Sequence, residues 1–214
     1  MDNGPPLAVE VWGDFACFTR PEMKVERVSY PCITPSAARG VLEAILWKPE
    51  FKWVVRRIDV LQPIRYFSLT RNEVKSKAAV SSAHAGRVLL ADEDRTQRHT
   101  LGLRDVAYVI HADIVLAPHA AGEHPAKYRD QFRRRIGRGR CHRQPYLGCR
   151  EFSAFFGPPS GRQPAAINEE LGPMLLDIDY ALGGSGRGTP RFFEAALVNG
   201  SLRVPPAEEG GHVT

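Results

Sequence analysis

The sequence lacks the features that would place a chain in or across a membrane. No apolar run approaches the roughly 18 to 20 residues that a transmembrane helix needs. The opening stretch, MDNGPPLAVEVWGDF, has neither the basic region nor the apolar region of a secretory signal peptide. We therefore expect a cytoplasmic protein that makes no contact with a membrane.

Familiar catalytic and metal-binding motifs are also missing. The chain contains no GxSxG, no HExxH and no carboxylate cluster with metal-ligand spacing. Its four cysteines form no CxxC pair, which indicates reduced thiols. A zinc site could be written from His124, Cys141, His142 and Cys149, but this spacing matches no common zinc finger. We expect neither a metal nor a cofactor.

The chain begins with a strand, a helix and a second strand. Apolar residues alternate over residues 7–11 and again over 53–61, which predicts two strands that each have a buried face. Between them, Thr34 and Pro35 are a good N-cap and first residue for a helix over residues 33–47. Gly40 inside this helix indicates a place where a strand packs closely.

The remaining pattern continues in the same alternation and then becomes rich in strands. Polar residues 68–100 predict a mobile insertion or a hairpin, and a long strand follows at 106–116. Pro125 begins a second helix with an apolar stripe from Tyr128, Phe132 and Ile136. Three short strands are predicted at 146–156, 174–180 and 192–198, with a hairpin turn at 199–200 before a last strand at 202–204.

These elements predict an α+β fold with two parts. We expect a ferredoxin-like, RRM-like domain over residues 1–145, which carries the polar insertion around 68–100. Residues 146–214 are expected to form a β-rich C-terminal domain.

Positive charge is concentrated in one segment. Between Lys127 and Arg150, eight arginines and one lysine stand against a single acid, Asp130, although the net charge of the chain is only +5. A solvated helix face usually mixes both signs, whereas arginine binds phosphate bidentately and stacks on bases. This favours a nucleic-acid surface over a plain one. The candidate phosphate ligands are Arg133, Arg134, Arg135, Arg138, Arg140 and Arg143.

Side chains that move protons lie in or beside this basic segment. They are His124, Lys127, Tyr128 and His142. RNA cleavage without a metal needs a base for the 2′-OH proton, an acid for the 5′-oxygen and a cation for the phosphorane. Histidine, tyrosine and lysine can share this work, so these four residues are the candidate catalytic set.

Three other features have simpler structural interpretations. The Gly-rich loop at 183–188 has no Lys-Ser/Thr after it and is interpreted as a hairpin loop rather than a phosphate cradle. Asp177 and Asp179 share one strand face, which is more typical of arginine pairing than of a metal pair. His111 lies in an apolar strand and is interpreted as a core histidine whose hydrogen bonds are satisfied.

Two stretches resemble a known family. They are VWGDFACFTRPEMKVERVSY at residues 11–30 and TPSAARGVLEAILWKP at residues 34–49. Further matches are RNEV at 71–74, LRDVAY at 103–108, PYLGCREF at 145–152 and PRFF at 190–193. Together they resemble the CRISPR-associated Cas-five family of subtype I-C, also called Dvulg, in the RAMP superfamily.

The resemblance implies a ferredoxin-like domain, a smaller β-sheet domain and a metal-independent endoribonuclease. Such an enzyme cuts precursor CRISPR RNA in the repeat hairpin, leaves a 2′,3′-cyclic phosphate and keeps the 5′ handle. It also implies a subunit of a type I-C Cascade complex, beside the backbone and large subunits. The residues expected to contact the handle are Phe18, Arg20, Trp47 and Lys48.

The catalytic residues of the family carry over only in part. The family tyrosine before Trp-Lys-Pro is Leu46 here, and the family Lys-His pair at the second helix is Lys127-Tyr128. Tyr128, His124 or His142 would have to supply the missing group. The alternatives are a crRNA-binding scaffold that cleaves weakly or not at all, and a general nucleic-acid binder that also takes duplex DNA.

Overall fold

A computed structural model describes residues 5–23, 25–86, 88, 90–179 and 188–206. The strands are β1 (Leu7–Ala16), β2 (Arg27–Val28), β3 (Phe51–Val60), β4 (Tyr66–Val74), β5 (Arg95–Leu116), β6 (Phe155–Gly157), β7 (Glu169–Asp179), β8 (Thr189–Val198) and β9 (Ser201–Arg203). The helices are α1 (Pro35–Ile45), α2 (Val80–His84) and α3 (Pro125–Gly137), and a 3₁₀ turn covers Pro118–Ala120.

Helix α1 begins where the sequence predicts. The Thr34 side chain caps it by accepting a hydrogen bond from the Ala37 N–H at 3.2 Å, and Pro35 occupies the first turn. Leu46 is already extended, so the helix ends before Pro49. The interpretation of Gly40 is wrong: a Cβ added there would meet no atom within 4 Å, so no strand packs against it.

The strands form one continuous sheet in the order β6-β1-β5-β3-β9-β8-β7. Strands β1 and β3 are both antiparallel to β5, which lies between them. They therefore run parallel to each other, and α1 is the crossover that this requires. Along the chain, the first four of these strands and the two long helices follow the order β1-α1-β3-β5-α3-β6. The sequence predicts this strand–helix alternation correctly.

One hydrophobic core lies between the sheet and helices α1 and α3. Val9, Val11, Ile58 and Ile110 contribute from the strands, and all are buried. Alternate residues face the other side of the sheet, where Ala8, Leu61, Ala107 and Val109 form a small separate cluster. The helices therefore cover one sheet face. Within the described ranges, no helix is long and apolar enough to cross a membrane.

The polar region 68–100 is largely a hairpin. Strand β4 pairs with the first half of β5 from Tyr66↔Leu103 to Val74↔Arg95, and α2 lies near its tip. The hairpin alternative is therefore confirmed. The predicted strand at 106–116 is the second half of β5, which is 22 residues long.

The region 146–156 is mostly loop, so the strand predicted there is largely wrong. Tyr146 and Ser153 form a single bridge, and only the three residues of β6 are strand. Gly148 has φ +84°, a left-handed conformation that turns the chain away from an extended path. The later strands are confirmed, with Asn199 and Gly200 at positive φ in the turn before β9.

The simpler interpretation of the two aspartates is confirmed: Asp177 pairs with Arg39, and Asp179 lies 2.7 Å from the Arg191 side chain. His111 Nε2 lies 2.8 Å from the Asp59 carboxylate, so its hydrogen bonding is satisfied as predicted. Its side chain is only partly buried, so its predicted place in the core is wrong. All four cysteines are free thiols, as predicted. The Gly-rich loop at 183–188 lies outside the described residues, except for its last glycine.

Candidate active site and nucleic-acid interface

Helix α3 is built on the predicted apolar stripe. Pro125 is its first residue, and Tyr128, Phe132 and Ile136 are buried against the sheet. The spacing of this stripe predicts that Arg129 faces outward, away from the sheet. That prediction is wrong: Arg129 is buried at 6 % exposure and donates to the Pro5 carbonyl, because the N-terminal segment supplies an acceptor for its guanidinium group.

Tyr128 lies at the N-terminal end of α3 and is only 1 % exposed. Its ring centroid is 5.0 Å from that of Phe51, and its hydroxyl donates to Glu123 Oε2 at 3.3 Å. Burial and then the nearby Glu123 charge raise the pKa of Tyr128. A buried phenol with a raised pKa stays neutral, so this geometry suits a hydrogen-bond donor better than a general base.

Lys127 points to solvent beside the same carboxylate. Its Nζ lies 2.9 Å from Glu123 Oε2 and 5.2 Å from the Tyr128 ring centroid. The hydrogen bond between Lys127 and Glu123 raises the pKa of Lys127 and lowers the pKa of Glu123. Lys127 is therefore held as a cation, and two of the three N–H donors of its ammonium group remain for a phosphate.

The exposed side chain of His124 completes this end of the helix. His124 is the N-cap residue of α3, but its side chain makes no capping hydrogen bond. It lies one helical turn from Lys127, whose N–H binds the His124 carbonyl at 3.1 Å. The end of the helix that carries Lys127 therefore also carries an exposed imidazole.

The C-terminal end of α3 and the segment after it carry arginines with little neutralisation. Arg133 pairs with Asp130 at 2.9 Å, and Arg135 donates to the Ile45 carbonyl at 2.5 Å. No described carboxylate lies within 4 Å of the other arginines in the segment that face solvent. They are Arg134, Arg138, Arg140, Arg143 and Arg150.

Backbone hydrogen bonds hold this basic segment against α1. The N–H groups of His142 and Arg143 both donate to the Ala44 carbonyl, at 2.9 and 3.1 Å. Gly139 adopts φ +61°, which lets the chain turn back toward α1 after the helix. The segment is therefore docked through its backbone, while its side chains face solvent.

The four predicted handle contacts fall at opposite ends of α1. Trp47, which is 52 % exposed, and the partly exposed Lys48 follow its C-terminus. Phe18 and Arg20 lie beyond its N-terminus, where Phe18 is buried at 3 % and the Arg20 guanidinium covers the Tyr30 ring at 4.5 Å. Any contact between RNA and the Phe18 ring would therefore require the ring to leave the core.

The structure brings together only part of the predicted catalytic set. His124, Lys127 and Tyr128 share the N-terminal end of α3, whereas His142 follows its C-terminal end. Helical rise separates these ends by about 18 Å. Leu46 is fully buried, and its carbonyl accepts a hydrogen bond from Trp53 Nε1 at 2.9 Å. The four candidate zinc ligands do not assemble: the described residues contain no cluster of three His, Cys, Asp or Glu with metal-binding geometry.

Sequence reasoning missed Glu123, which binds both Lys127 and Tyr128. Its position four residues before Lys127 is the spacing of a helical ion pair, and this signal is present in the sequence. It also missed the exposed Tyr146, which is brought near α1 by a loop that no local pattern predicts.

Comparisons with known proteins identify the family of this chain. Residues 7–205 match the Cas5d family model, described as "CRISPR-associated protein (Cas_Cas5)". The "CRISPR pre-crRNA endoribonuclease Cas5d" of Thermus thermophilus is 48 % identical, with 93 % of this chain and 91 % of the relative covered. The protein of the same name from Mannheimia succiniciproducens is 46 % identical, with 95 % and 97 % covered.

A solved structure shows the shared fold. The protein described as "Crystal Structure of CRISPR-associated Protein" has a TM-score of 0.69 at 23 % identity, covering 95 % of this chain and 93 % of that one. The family that the two sequence stretches resemble is thus confirmed by a match over nearly the whole chain. The protein belongs to the Cas5d family of CRISPR-associated proteins.

Proposed function

We propose that this protein is an endoribonuclease that cleaves precursor CRISPR RNA within the repeat hairpin. The observation that carries the proposal is its near full-length similarity to two relatives named as CRISPR pre-crRNA endoribonucleases. The geometry supports it, because a held cation and an exposed histidine lie at one end of a helix whose other end carries unneutralised arginines.

The reaction is attack of a ribose 2′-OH on the adjacent phosphorus. The O2′–P bond forms and the P–O5′ bond breaks, which leaves a 2′,3′-cyclic phosphate and a free 5′-OH. Lys127 stabilises the charge of the phosphorane. His124 is the exposed proton carrier at the same end and exchanges protons with the 2′-OH or O5′. Tyr128 positions Glu123, which in turn positions Lys127.

The exposed arginines of the basic segment support the RNA binding that the proposal requires. Arg138, Arg140 and Arg143 are exposed and have no described carboxylate partner, so their charge is available to phosphates. Binding of this kind persists after the cut, and it supports retention of the 5′ handle by the enzyme. Of the predicted handle contacts, Trp47 and Lys48 closely follow Ile45, whose carbonyl accepts a hydrogen bond from Arg135 of α3.

We also propose a wider setting for this activity. The protein would serve as a subunit of a type I-C Cascade complex in the cytoplasm, beside the backbone and large subunits. For the fold, the strand order β6-β1-β5-β3 supports a ferredoxin-like domain. The division into residues 1–145 and 146–214 remains a proposal, and β6 would then be a strand that the second part adds to the first.

A crRNA-binding scaffold without cleavage is the second candidate. The observation that favours it is the burial of both Leu46 and Tyr128 at positions where the family resemblance implies catalytic side chains. A general binder that also takes duplex DNA rests on charge alone.

The deciding experiment incubates the purified protein with the repeat RNA of its own CRISPR array in EDTA. Lys127→Ala is the test variant, and Lys75→Ala is the matched control because Lys75 is exposed on the distant β4–β5 hairpin. We expect the wild type and the control to cut at one site and leave a cyclic phosphate, and Lys127→Ala to lose about 100-fold or more in rate.

Other results would favour the alternatives. Tight binding of the repeat RNA with no cleavage by the wild type would establish the scaffold. Equal binding of random duplex DNA at about 0.15 M salt, where non-specific binding weakens, would establish the general binder.

A further inference from the structure

Two cysteines, Cys17 and Cys149, meet where the chain leaves β1 and contacts the loop after α3. The Cys17 N–H donates to the Leu147 carbonyl at 3.0 Å, and Cys149 Sγ lies 3.6 Å from the Cys17 carbonyl oxygen. The two thiols also form a hydrogen bond with each other. Sulfur atoms in contact on adjacent backbones meet the first geometric requirement of a disulfide, although 132 positions separate them in the sequence.

The backbone of the loop holds the two cysteines together. Gly148 has φ +84°, and an added Cβ would come within 2.0 Å of the Cys17 carbonyl oxygen, so only glycine allows this close approach. The Leu147 N–H donates to the Phe152 carbonyl at 2.8 Å, which closes the turn that carries Cys149. The two thiols therefore need no rearrangement of the chain to reach each other.

Hydrogen bonds and positive charge favour the thiolate form of this pair. Arg27 of β2 donates to Cys149 Sγ at 3.5 Å, and the Thr19 hydroxyl lies 3.5 Å from Cys17 Sγ. The hydrogen bond with Cys149 lowers the pKa of Cys17 to about 6, and the charges of Arg27 and Arg71 act in the same direction. One sulfur of the pair is therefore ionised near neutral pH, and the thiolate is the form that reacts with oxidants.

The other two cysteines differ from this pair. Cys32 is fully buried, and burial raises its pKa to about 12, so its thiol stays protonated and unreactive. Cys141 is partly exposed in the segment that follows α3. Cys149 is partly exposed as well, which gives small solutes access to the pair. Cys141 is therefore the natural control for exposure alone.

We propose that Cys17 and Cys149 are an oxidation-sensitive dithiol that hydrogen peroxide converts reversibly to a disulfide. The thiolate sulfur attacks one peroxide oxygen, the O–O bond breaks, and a sulfenic acid forms while the second oxygen takes up a proton and leaves as water. The sulfur of the other thiol then attacks the sulfenic sulfur. The S–S bond forms, the S–O bond breaks, and a second water leaves with the proton of that thiol. Two electrons pass from the two thiols to the peroxide.

The disulfide ties together a junction between several elements. It joins the end of β1 to the loop that carries Glu151, and Glu151 forms ion pairs with Arg27 of β2 and Arg71 of β4. Oxidation thus adds a covalent bond where β1, β2 and the β4–β5 hairpin are otherwise connected through ion pairs. This inference does not rest on the proposed function, because it requires no RNA.

The test treats the reduced full chain with hydrogen peroxide, stops the reaction with catalase and alkylates the remaining thiols in denaturant. Mass spectrometry counts the alkylated cysteines and identifies cross-linked peptides. We expect the wild type to lose two of its four free thiols and to yield one peptide pair joined through Cys17 and Cys149. Dithiothreitol should restore both thiols.

Three serine variants localise the reaction. Cys17→Ser and Cys149→Ser should each lose the cross-link, whereas the matched control Cys141→Ser should form it as the wild type does. Thermal unfolding checks that each variant is folded before oxidation. Cys149→Ser alone carries the test if the buried Cys17→Ser is not folded, because Cys149 is partly exposed.

A further pair of variants tests the contribution of Arg27. Arg27→Ala should form the disulfide several-fold more slowly, because the thiolate loses a neighbouring positive charge. Arg65→Ala is the matched control, since Arg65 is an exposed arginine that pairs with Asp105 instead. An unchanged rate in Arg27→Ala would overturn the role given to Arg27.

The inference is overturned if the peroxide-treated wild type keeps all four thiols free, or if its cross-links involve Cys141 as often as the pair. It is also overturned if Cys17 and Cys149 are oxidised separately without a bond between them. Cleavage of repeat RNA is not a readout of this experiment, so the proposed function stands or fails independently of its result.

Discussion

The two ends of α3 differ in how far their positive charges are neutralised. At the N-terminal end, Lys127 forms an ion pair with Glu123, and Glu123 also accepts a hydrogen bond from the buried Tyr128. After the C-terminal end, Arg138, Arg140 and Arg143 face solvent with no described carboxylate near them. A matched cation is held in one place, as chemistry at a single phosphate requires. Unmatched cations can adapt to a backbone that varies in path, as binding requires.

The largest effect is expected from a variant that tests which end of α3 carries the catalytic residues. His124→Ala removes the imidazole beside Lys127 and should lower the cleavage rate by about 100-fold or more. His142→Ala should have a much smaller effect because His142 lies at the opposite end of α3 from the Lys127–Glu123 pair. Single-turnover cleavage with saturating protein measures both. A larger loss for His142→Ala would move the active site to the basic segment.

The next effect concerns binding. The triple variant of Arg138, Arg140 and Arg143 to alanine should weaken repeat RNA binding about 10-fold or more near 0.15 M salt. Its slope of log affinity against log salt should fall by about 2, at ~0.7 for each phosphate that is no longer neutralised. Arg133→Ala should change both less, since Asp130 already neutralises that guanidinium. If Arg133→Ala changed the affinity and the salt slope as much as the triple variant does, the ion pair with Asp130 would not limit the contribution of Arg133 to RNA binding.

A smaller effect tests the role of Tyr128. Tyr128→Phe keeps the buried ring against Phe51 and removes only the hydroxyl that donates to Glu123. We expect cleavage to stay within a few-fold of the wild type. The melting temperature should fall by only a few degrees, because a single hydrogen bond has a small net worth. Loss of cleavage with normal folding would instead make the phenol a participant in proton transfer.

The smallest effect is in the pH dependence of folding. Because Lys127 lowers the pKa of Glu123, the carboxylate stabilises the fold above its ordinary pKa of 4.5. This contribution disappears as the pH falls through the lowered value. The difference in thermal unfolding between the wild type and Glu123→Gln should therefore be slight at pH 6 and should shrink as the pH falls below 4.5. A difference that does not change with pH would mean that the carboxyl stabilises the fold by some other contact.

Local patterns predict the elements of this fold well because their causes are local. The cap and proline at the start of α1 and the stripe of α3 depend on residues within a few turns. Burial of Arg129 could not be predicted in this way, since its acceptor belongs to Pro5, 124 residues away. The loop at 146–154 fails for the same reason, because Gly148 turns against the backbone of Cys17.

The same distinction between local and distant causes applies to the candidate site. Glu123 and Lys127 are four residues apart, so their pairing can be expected from spacing alone. The proximity of Tyr146 to Gly40 cannot be expected from spacing, because 106 residues separate them in the sequence. Only the path of the loop after α3 brings them together.

The backbone docking of residues 142–143 on Ala44 has a consequence for how this protein can evolve. Two main-chain N–H groups make that contact, and every residue except proline carries one. The side chains of the segment can therefore be exchanged without undoing its attachment. When the repeat sequence changes during evolution, substitutions at these positions can change RNA binding while the backbone hydrogen bonds to Ala44 are kept.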